Sequence, residues 1–320
     1  MSMPSPAASL KQLVATGRDR LPLPGGGQTL DRWRQLAAVA AQDLSLVKLF
    51  EGHTDALAIL AELQGPPVPD GSRWGTWCAE PPNARLEFRP QGDTLRIDGT
   101  KAWCSGAAAV THALVSGWDA QGLPCLAAVA LDQPGVTVTD GGWCAVGMAG
   151  SASVDVRFEG ATGSAVGAPG DYTARAGFWQ GGIGVAACWF GGAQALADMT
   201  RHRLKTSQDP HAQAHLGAID VALSGAAALL REAAAAIDAA PRAPAQVLAM
   251  RTRLGVESAC EAVLRHATRA LGAAPLCRDE AFARMAADLP VYLRQSHAER
   301  DLAGLGREIA QAAATPAWPL

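Results

Sequence analysis

The sequence predicts a mainly α chain with a central β domain: N-terminal helices, an antiparallel β barrel or sandwich, and a C-terminal four-helix bundle. Two observations carry this. The apolar spacing changes period twice, from three and four residues to alternation near Arg73, and back to helical spacing from Tyr172. The changes fall at linker-like stretches: 65–72 holds Pro66, Pro67, Pro69 and Gly71, and 160–171 holds five glycines or prolines. The expected domains are therefore 1–67 (a truncated helical domain), 68–170 (β) and 171–320 (helical bundle).

In the first segment, Leu30–Gln42 and Leu44–Leu63 carry helical apolar spacing, with Asp43 or Ser45 as candidate cap and Gly25–Gly27 as an elbow. In the second, Leu86–Phe88 and Leu95–Ile97 alternate about a turn at Gln91-Gly92-Asp93, and Asp98-Gly99 reads as a hairpin turn. Ala113–Trp118, Cys125–Leu131, Val136–Val138 and Val154–Phe158 continue the strand series. In the third, Tyr172–Leu204, His211–Ala240, Pro244–Leu271 and Phe282–Ala313 are the expected bundle helices.

Composition narrows the function classes. With 49% hydrophobic and 18% charged residues, the chain has the material for a large core. Lys plus Arg total 27 and Asp plus Glu 30, a net charge of -3 that offers no basic field for nucleic acid. No run of about 20 uncharged apolar residues suggests a membrane span, and Met1–Leu10 lacks the pattern of a signal peptide. Seven cysteines, none in a C-x-x-C pair, read as reduced thiols of a cytoplasmic protein.

Four strings stand in a telling order: Cys78-Ala79-Glu80-Pro81, Asp98-Gly99-Thr100-Lys101-Ala102-Trp103-Cys104-Ser105-Gly106, Gly147-Met148-Ala149-Gly150-Ser151-Ala152-Ser153, and Gly272-Ala273-Ala274-Pro275. Together with the domain order they resemble the acyl-CoA dehydrogenase superfamily of flavoproteins, over roughly residues 43–312. The resemblance implies FAD between the β domain and the bundle, with Cys78 and Ala79 in the turn that approaches it. Trp103 and Ser105 match positions that contact the isoalloxazine ring. An indole can pack on the ring face and a hydroxyl can donate to its hydride-accepting nitrogen. Where the family continues after Glu-Pro with Gly-Ser-Asp, this chain reads Pro82-Asn83-Ala84-Arg85, so the pyrophosphate-binding Ser is absent and Arg85 offers a charged contact instead. Arg269 replaces the family's Gln, and Gly272 opens the altered glycine loop.

The resemblance also implies a Glu that removes the proton alpha to a thioester. Its usual position falls on Ser296, and the alternative one near Lys205 and Thr206 holds no carboxylate. Glu299, three residues beyond Ser296, and His297 are the neighbouring acid–base candidates. Glu299 reads more readily as a surface residue in a network with Arg294, Arg300 and Asp301.

The leading expectation is an acyl-CoA dehydrogenase-like, FAD-dependent oxidoreductase acting on the CH–CH group of an acyl-CoA or related thioester, with an atypical or missing base. The alternatives are a flavin-dependent monooxygenase of the same fold, or a non-catalytic scaffold that has lost the cofactor. Implied partners are an electron-transfer flavoprotein or reductase and further copies of the chain, as homodimer or homotetramer. Val185–Met199 and Val247–Leu271 carry small residues suited to such helix packing. No metal is expected, although His211 and His215 share an i,i+4 face. Glu51 and His53 read as a helical core pair or as residues bordering a substrate cleft, and Ser151 and Ser153 as turn hydroxyls.

Overall fold

The computed structural model describes residues 4–312 and residue 318. Met1, Ser2, Met3 and Ala313, where the last expected helix ends, lie outside the described residues. The elements run α1 (Pro6–Ala15), α2 (Thr29–Ala40), α3 (Leu44–Glu62), β1 (Trp74–Trp77), β2 (Leu86–Gln91), β3 (Thr94–Cys104), β4 (His112–Trp118), β5 (Pro124–Ala130), β6 (Val136–Val138) and β7 (Val154–Ala165). Then follow α4 (Asp171–Ala174), α5 (Ala176–Arg203), α6 (Pro210–Ala239), α7 (Gln246–Leu271), α8 (Ala274–Arg278), α9 (Glu280–Leu293) and α10 (Glu299–Gln311). They form two compact units: residues 1–24 with 43–178, and residues 25–42 with 179–320.

The first unit is built on α3 and the sheet. Asp43 caps α3, accepting from the Leu46 N–H at 2.7 Å. Leu44, Val47, Phe50, Ala56 and Ile59 are all buried, so this helix is apolar around most of its circumference, as a core helix must be. Ala56, Ile59 and Leu60 pack with Trp74, Leu114, Leu126, Ala128 and Val166 from the sheet side.

Several polar residues of α3 are tied down. Lys48 pairs with Glu51 at 2.8 Å, and Thr76 donates to the Gly52 carbonyl at 2.7 Å. His53 Nδ1 accepts from the Trp74 N–H at 3.1 Å, so the neutral ring carries its proton on Nε2, 3.1 Å from Asp19. The imidazole thus pins α3 to β1. Burial, opposed by Asp19, lowers its pKa below 6.5. The unfolded chain therefore takes up this proton first. The histidine's contribution to stability is complete above about pH 6.5 and declines as the pH falls from there toward the lower folded value. His53→Phe is expected to cost about 1–3 kcal/mol by stranding the Trp74 N–H, and to flatten that pH slope in urea titrations between about pH 7.5 and pH 5.5.

The strands β2, β3, β7, β5 and β4 pair in sequence, and β4 returns to β2, closing a ring; β1 and β6 attach to β4 and β7. The expected antiparallel order holds for β2–β3, β3–β7, β4–β5, β5–β7 and β6–β7. The β1–β4 and β2–β4 pairings are parallel, because β1 and β2 both reach β4 through non-hairpin connections. The Gln91-Gly92-Asp93 turn joins β2 to β3 as expected. Asp98-Gly99 is not a hairpin turn: β3 runs straight through it. The pair sits at a register shift against β7, where Gly99 has φ +124° and a β-carbon would collide with the Arg85 carbonyl. Asp98 accepts from the Gly160 N–H at 2.7 Å, and Arg96, 2.8 Å away, holds its carboxyl below the usual range.

In the second unit, Asp238 near the end of α6 accepts from the Thr29 N–H at 3.0 Å and from its hydroxyl at 2.5 Å, fixing the start of α2. Asp209 caps α6 and Pro210 opens it. The expected helix over Tyr172–Leu204 is broken at Arg175, still within the first unit, where an extended backbone lets the guanidinium reach Glu62 of the same unit at 2.8 Å. The expected helix over Phe282–Ala313 is two helices: Arg294 ends α9 and Ala298, at φ +43°, precedes α10. Many small residues proposed above for packing between copies, including Ala186, Ala193, Ala249, Ala259 and Ala267, are buried within this chain. Among the described residues one helix, α6, is long and apolar enough by length and composition to cross a membrane; the sequence criterion missed it because Asp220 interrupts the uncharged run.

Candidate functional site

At one end of the ring the chain after β1, the last residues of β3 and the loop before β7 meet. The anchor is Lys101, fully buried at 0% exposure. Its ammonium donates to Glu80 Oε1 at 2.7 Å, the Ser116 carbonyl at 2.9 Å and Ser116 Oγ at 2.8 Å. The Ser116 hydroxyl in turn donates to Glu80, and the Trp118 indole N–H reaches the other Glu80 oxygen at 3.2 Å. Arg85 stacks its guanidinium over the Trp118 ring, 4.1 Å from the centroid. Strand alternation puts Lys101 inside; the buried charge is tolerated because a carboxylate, a carbonyl and a hydroxyl surround it.

Two residues further on, the strand does the opposite. The β3–β7 register shifts between Lys101 and Cys104, and Trp103 takes a left-handed conformation, φ +58°. The indole is thrown outward and is 50% exposed. A bulky residue in this region is strained and needs its surroundings to hold it there. Those surroundings are visible: the Cys104 thiol is buried and bonded to the Lys101 carbonyl at 3.2 Å, and the Trp77 indole N–H donates to the Ser105 carbonyl at 3.2 Å.

Ser105, half-buried, leads into a row of hydroxyls. Its Oγ lies 3.0 Å from Ser153 Oγ, which lies 2.9 Å from Ser151 Oγ, which donates to the Met148 carbonyl at 2.7 Å. The loop that presents this row is itself unusual: Met148 and Ala152 both have positive φ, and the Ser151 carbonyl accepts from the Gly106 N–H at 2.8 Å.

The remaining residues singled out by the sequence fall as follows. Cys78 bonds Tyr172, and burial raises its thiol pKa; Ala79 is half-buried beside it. Arg269 lies exposed in the last turn of α7, where a cation suits the helix dipole, and Gly272 follows as the C-cap at φ +63°. Ser296 is buried, but in the break between α9 and α10, its N–H bonded to the Leu293 carbonyl and its Oγ accepting from the Ala298 N–H at 3.1 Å. Glu299 is exposed at the first position of α10, so it shares no continuous helix face with Ser296. His297 is exposed, its ring 3.5 Å from Asp301, and Arg294 pairs with Glu257 and Glu261 rather than Glu299. Thus Cys78, Ala79, Arg85, Trp103 and Ser105 stand in the first unit, and Arg269, Gly272, Ser296, His297 and Glu299 in the second.

His215 meets His266 on α7, not His211; the two Nδ1 atoms are 2.9 Å apart, and burial with Arg265 lowers the His266 pKa. Among the described residues no group of three or more His, Cys, Asp or Glu is placed to hold a metal. The Lys101–Glu80–Ser116–Trp118 cluster escaped the sequence reading. Glu80 and Lys101 both stand in the strings quoted above, but nothing local pairs them with each other or with Ser116 and Trp118.

No protein-family model matches the chain, and no curated protein matches it. Solved structures do. KijD3, in complex with FMN and dTDP-3-amino-2,3,6-trideoxy-4-keto-3-methyl-D-glucose, aligns with TM-score 0.82 at 20% identity, over 96% of this chain and 86% of that one. TdsC from Paenibacillus sp. A11-2, a dibenzothiophene monooxygenase, in its complex with FMN and indole aligns with TM-score 0.79 at 20% identity, over 95% and 90%. Methanesulfinate monooxygenase MsuC from Pseudomonas fluorescens aligns with TM-score 0.74 at 19% identity, over 98% and 99%. This likeness establishes the fold: helical with a central β domain, of the acyl-CoA dehydrogenase-like kind.

Proposed function

We propose that this chain is a flavin-dependent monooxygenase that uses FMN reduced by a separate reductase. The observation that carries it is Trp103, a strained and half-exposed indole, followed two residues on by the Ser105 hydroxyl. An apolar ring face with a hydroxyl at its edge suits an isoalloxazine, which supplies the redox and oxygen chemistry when bound. Strain retained at an exposed aromatic points to a ligand contact, since packing does not require it.

Monooxygenation also suits what the chain lacks. It needs no base for the proton alpha to a thioester, and the position implied for that base holds Ser296. The similar structures named for oxygenation or solved with FMN support this reading over thioester dehydrogenation. FMN is preferred to FAD because the pyrophosphate-binding Ser is absent from Pro82-Asn83-Ala84-Arg85 and Ala273-Ala274-Pro275 replaces open glycine backbone. Arg85, exposed on Trp118, is the candidate for the single phosphate. The fold also motivates a homodimer or homotetramer, and light scattering is expected to give a mass above the 33.0 kDa of one chain.

The test is equilibrium dialysis and absorbance near about 450 nm, the flavin's own band. The protein is expected to retain FMN in preference to FAD. With a flavin reductase, NADH and oxygen, it is expected to oxygenate a small sulfur-, nitrogen- or ring-containing substrate from a panel. Under anaerobic conditions an acyl-CoA is expected to leave the flavin colour unchanged; bleaching by acyl-CoA would restore the dehydrogenase reading. Failure to bind either flavin would leave the scaffold reading.

A further inference from the structure

The row of serine hydroxyls has a polarity set by counting protons. Each hydroxyl has one hydrogen to donate and lone pairs to accept with. The Met148 carbonyl can only accept, so the Ser151 hydrogen is spent on it at 2.7 Å. Toward Ser153, at 2.9 Å, Ser151 therefore offers lone pairs, and Ser153 must donate. With its own hydrogen spent, Ser153 can only accept from Ser105 at 3.0 Å. Ser151 and Ser153 are 1% and 3% exposed, which shields the row from exchange with water. Ser105 is half-buried at its open end.

We infer that Ser153 is a positioning residue that turns Ser105 into a hydrogen-bond acceptor, so that the site selects reduced over oxidised flavin. This rests on the flavin reading above. Oxidised isoalloxazine presents a bare nitrogen at N5, which accepts. The reduced ring carries an N–H there, which donates. A Ser105 whose proton already points to Ser153 matches the N–H and meets the bare nitrogen with lone pair against lone pair. This is the opposite of the donor role that the sequence resemblance implies for Ser105. It fits an enzyme that captures flavin already reduced elsewhere.

The experiment measures the dissociation constants of oxidised and of anaerobically reduced FMN, and the midpoint potential of the bound flavin. Wild type is expected to bind reduced FMN the more tightly, placing the bound potential above that of free FMN. In Ser153→Ala the Ser105 proton is freed to reach N5. The preference is expected to drop about tenfold, which lowers the two-electron potential by about 30 mV. Ser151→Ala frees the Ser153 proton to turn toward Ser105 and is expected to shift the potential the same way. It also stands in should Ser153→Ala not fold. Ser153→Thr keeps the hydroxyl and is expected to retain the wild-type preference. A merely structural role would weaken both redox forms alike and leave the potential unmoved, and that result would overturn the inference while sparing the flavin reading. Binding of neither form to wild type would overturn both.

Discussion

Glu80→Ala is expected to destabilise the unit containing the β strands by about 3–5 kcal/mol, the cost of leaving a buried charge without its partner. The charge is Lys101, at 0% exposure with its ammonium 2.7 Å from Glu80. Ser116 alone, through its carbonyl at 2.9 Å and hydroxyl at 2.8 Å, supplies dipoles but no counter-charge. The double variant Glu80→Ala/Lys101→Met is expected to recover most of the loss, because an apolar side chain of similar length in place of a buried ion pair is often neutral. Urea titrations of the two singles and the double give the coupling energy directly. A single variant within about 0.5 kcal/mol of wild type would show that water reaches the ammonium, which the burial of Lys101 argues against.

Trp103→Gly is expected to separate binding from stability. A tryptophan at φ +58° is strained, and glycine takes that conformation freely. The released strain, about 1–2 kcal/mol, offsets the greater chain entropy of glycine and the lost contacts of a half-exposed ring. Unfolding temperature is therefore expected to hold or rise. FMN affinity is expected to fall at least tenfold, since an aromatic contact is worth about 0.5–1.5 kcal/mol beyond the area it covers. Trp103→Ala keeps the strain and loses the ring, so it is expected to bind FMN as poorly while unfolding earlier than Trp103→Gly. Undiminished FMN binding together with lowered stability in both variants would assign the indole to packing.

The order of helices, strands and helices was legible because each rests on local periodicity. Asp43 was recognisable as a cap and Gln91-Gly92-Asp93 as a turn, since both act within four residues. Asp98-Gly99 misled for the same reason. The pair has turn chemistry, but the neighbouring backbone at Arg85 and the partner strand β7 make it a bulge inside a strand. The continuous spacing over Phe282–Ala313 likewise hid the break that separates Ser296 from Glu299, and with it any shared helix face.

Of the candidate site, the sequence by itself determined which local string carries Trp103 and Ser105, and that no carboxylate stands at the position implied for the base. Only the tertiary structure decided that Trp103 faces outward, that Lys101 is enclosed by Glu80 and Ser116, and that the Ser105 hydroxyl lies 3.0 Å from that of Ser153. Lys101 lies 21 residues from Glu80 and Ser105 lies 48 from Ser153. Those pairings depend on strand register, on one shift between β3 and β7, and on the loop that returns Ser151 and Ser153 to the end of β3. A period-2 pattern says which residues alternate. It does not say which distant hydroxyl or carboxylate the ring closure will bring to each of them, and the chemistry of this site is set by those distant partners.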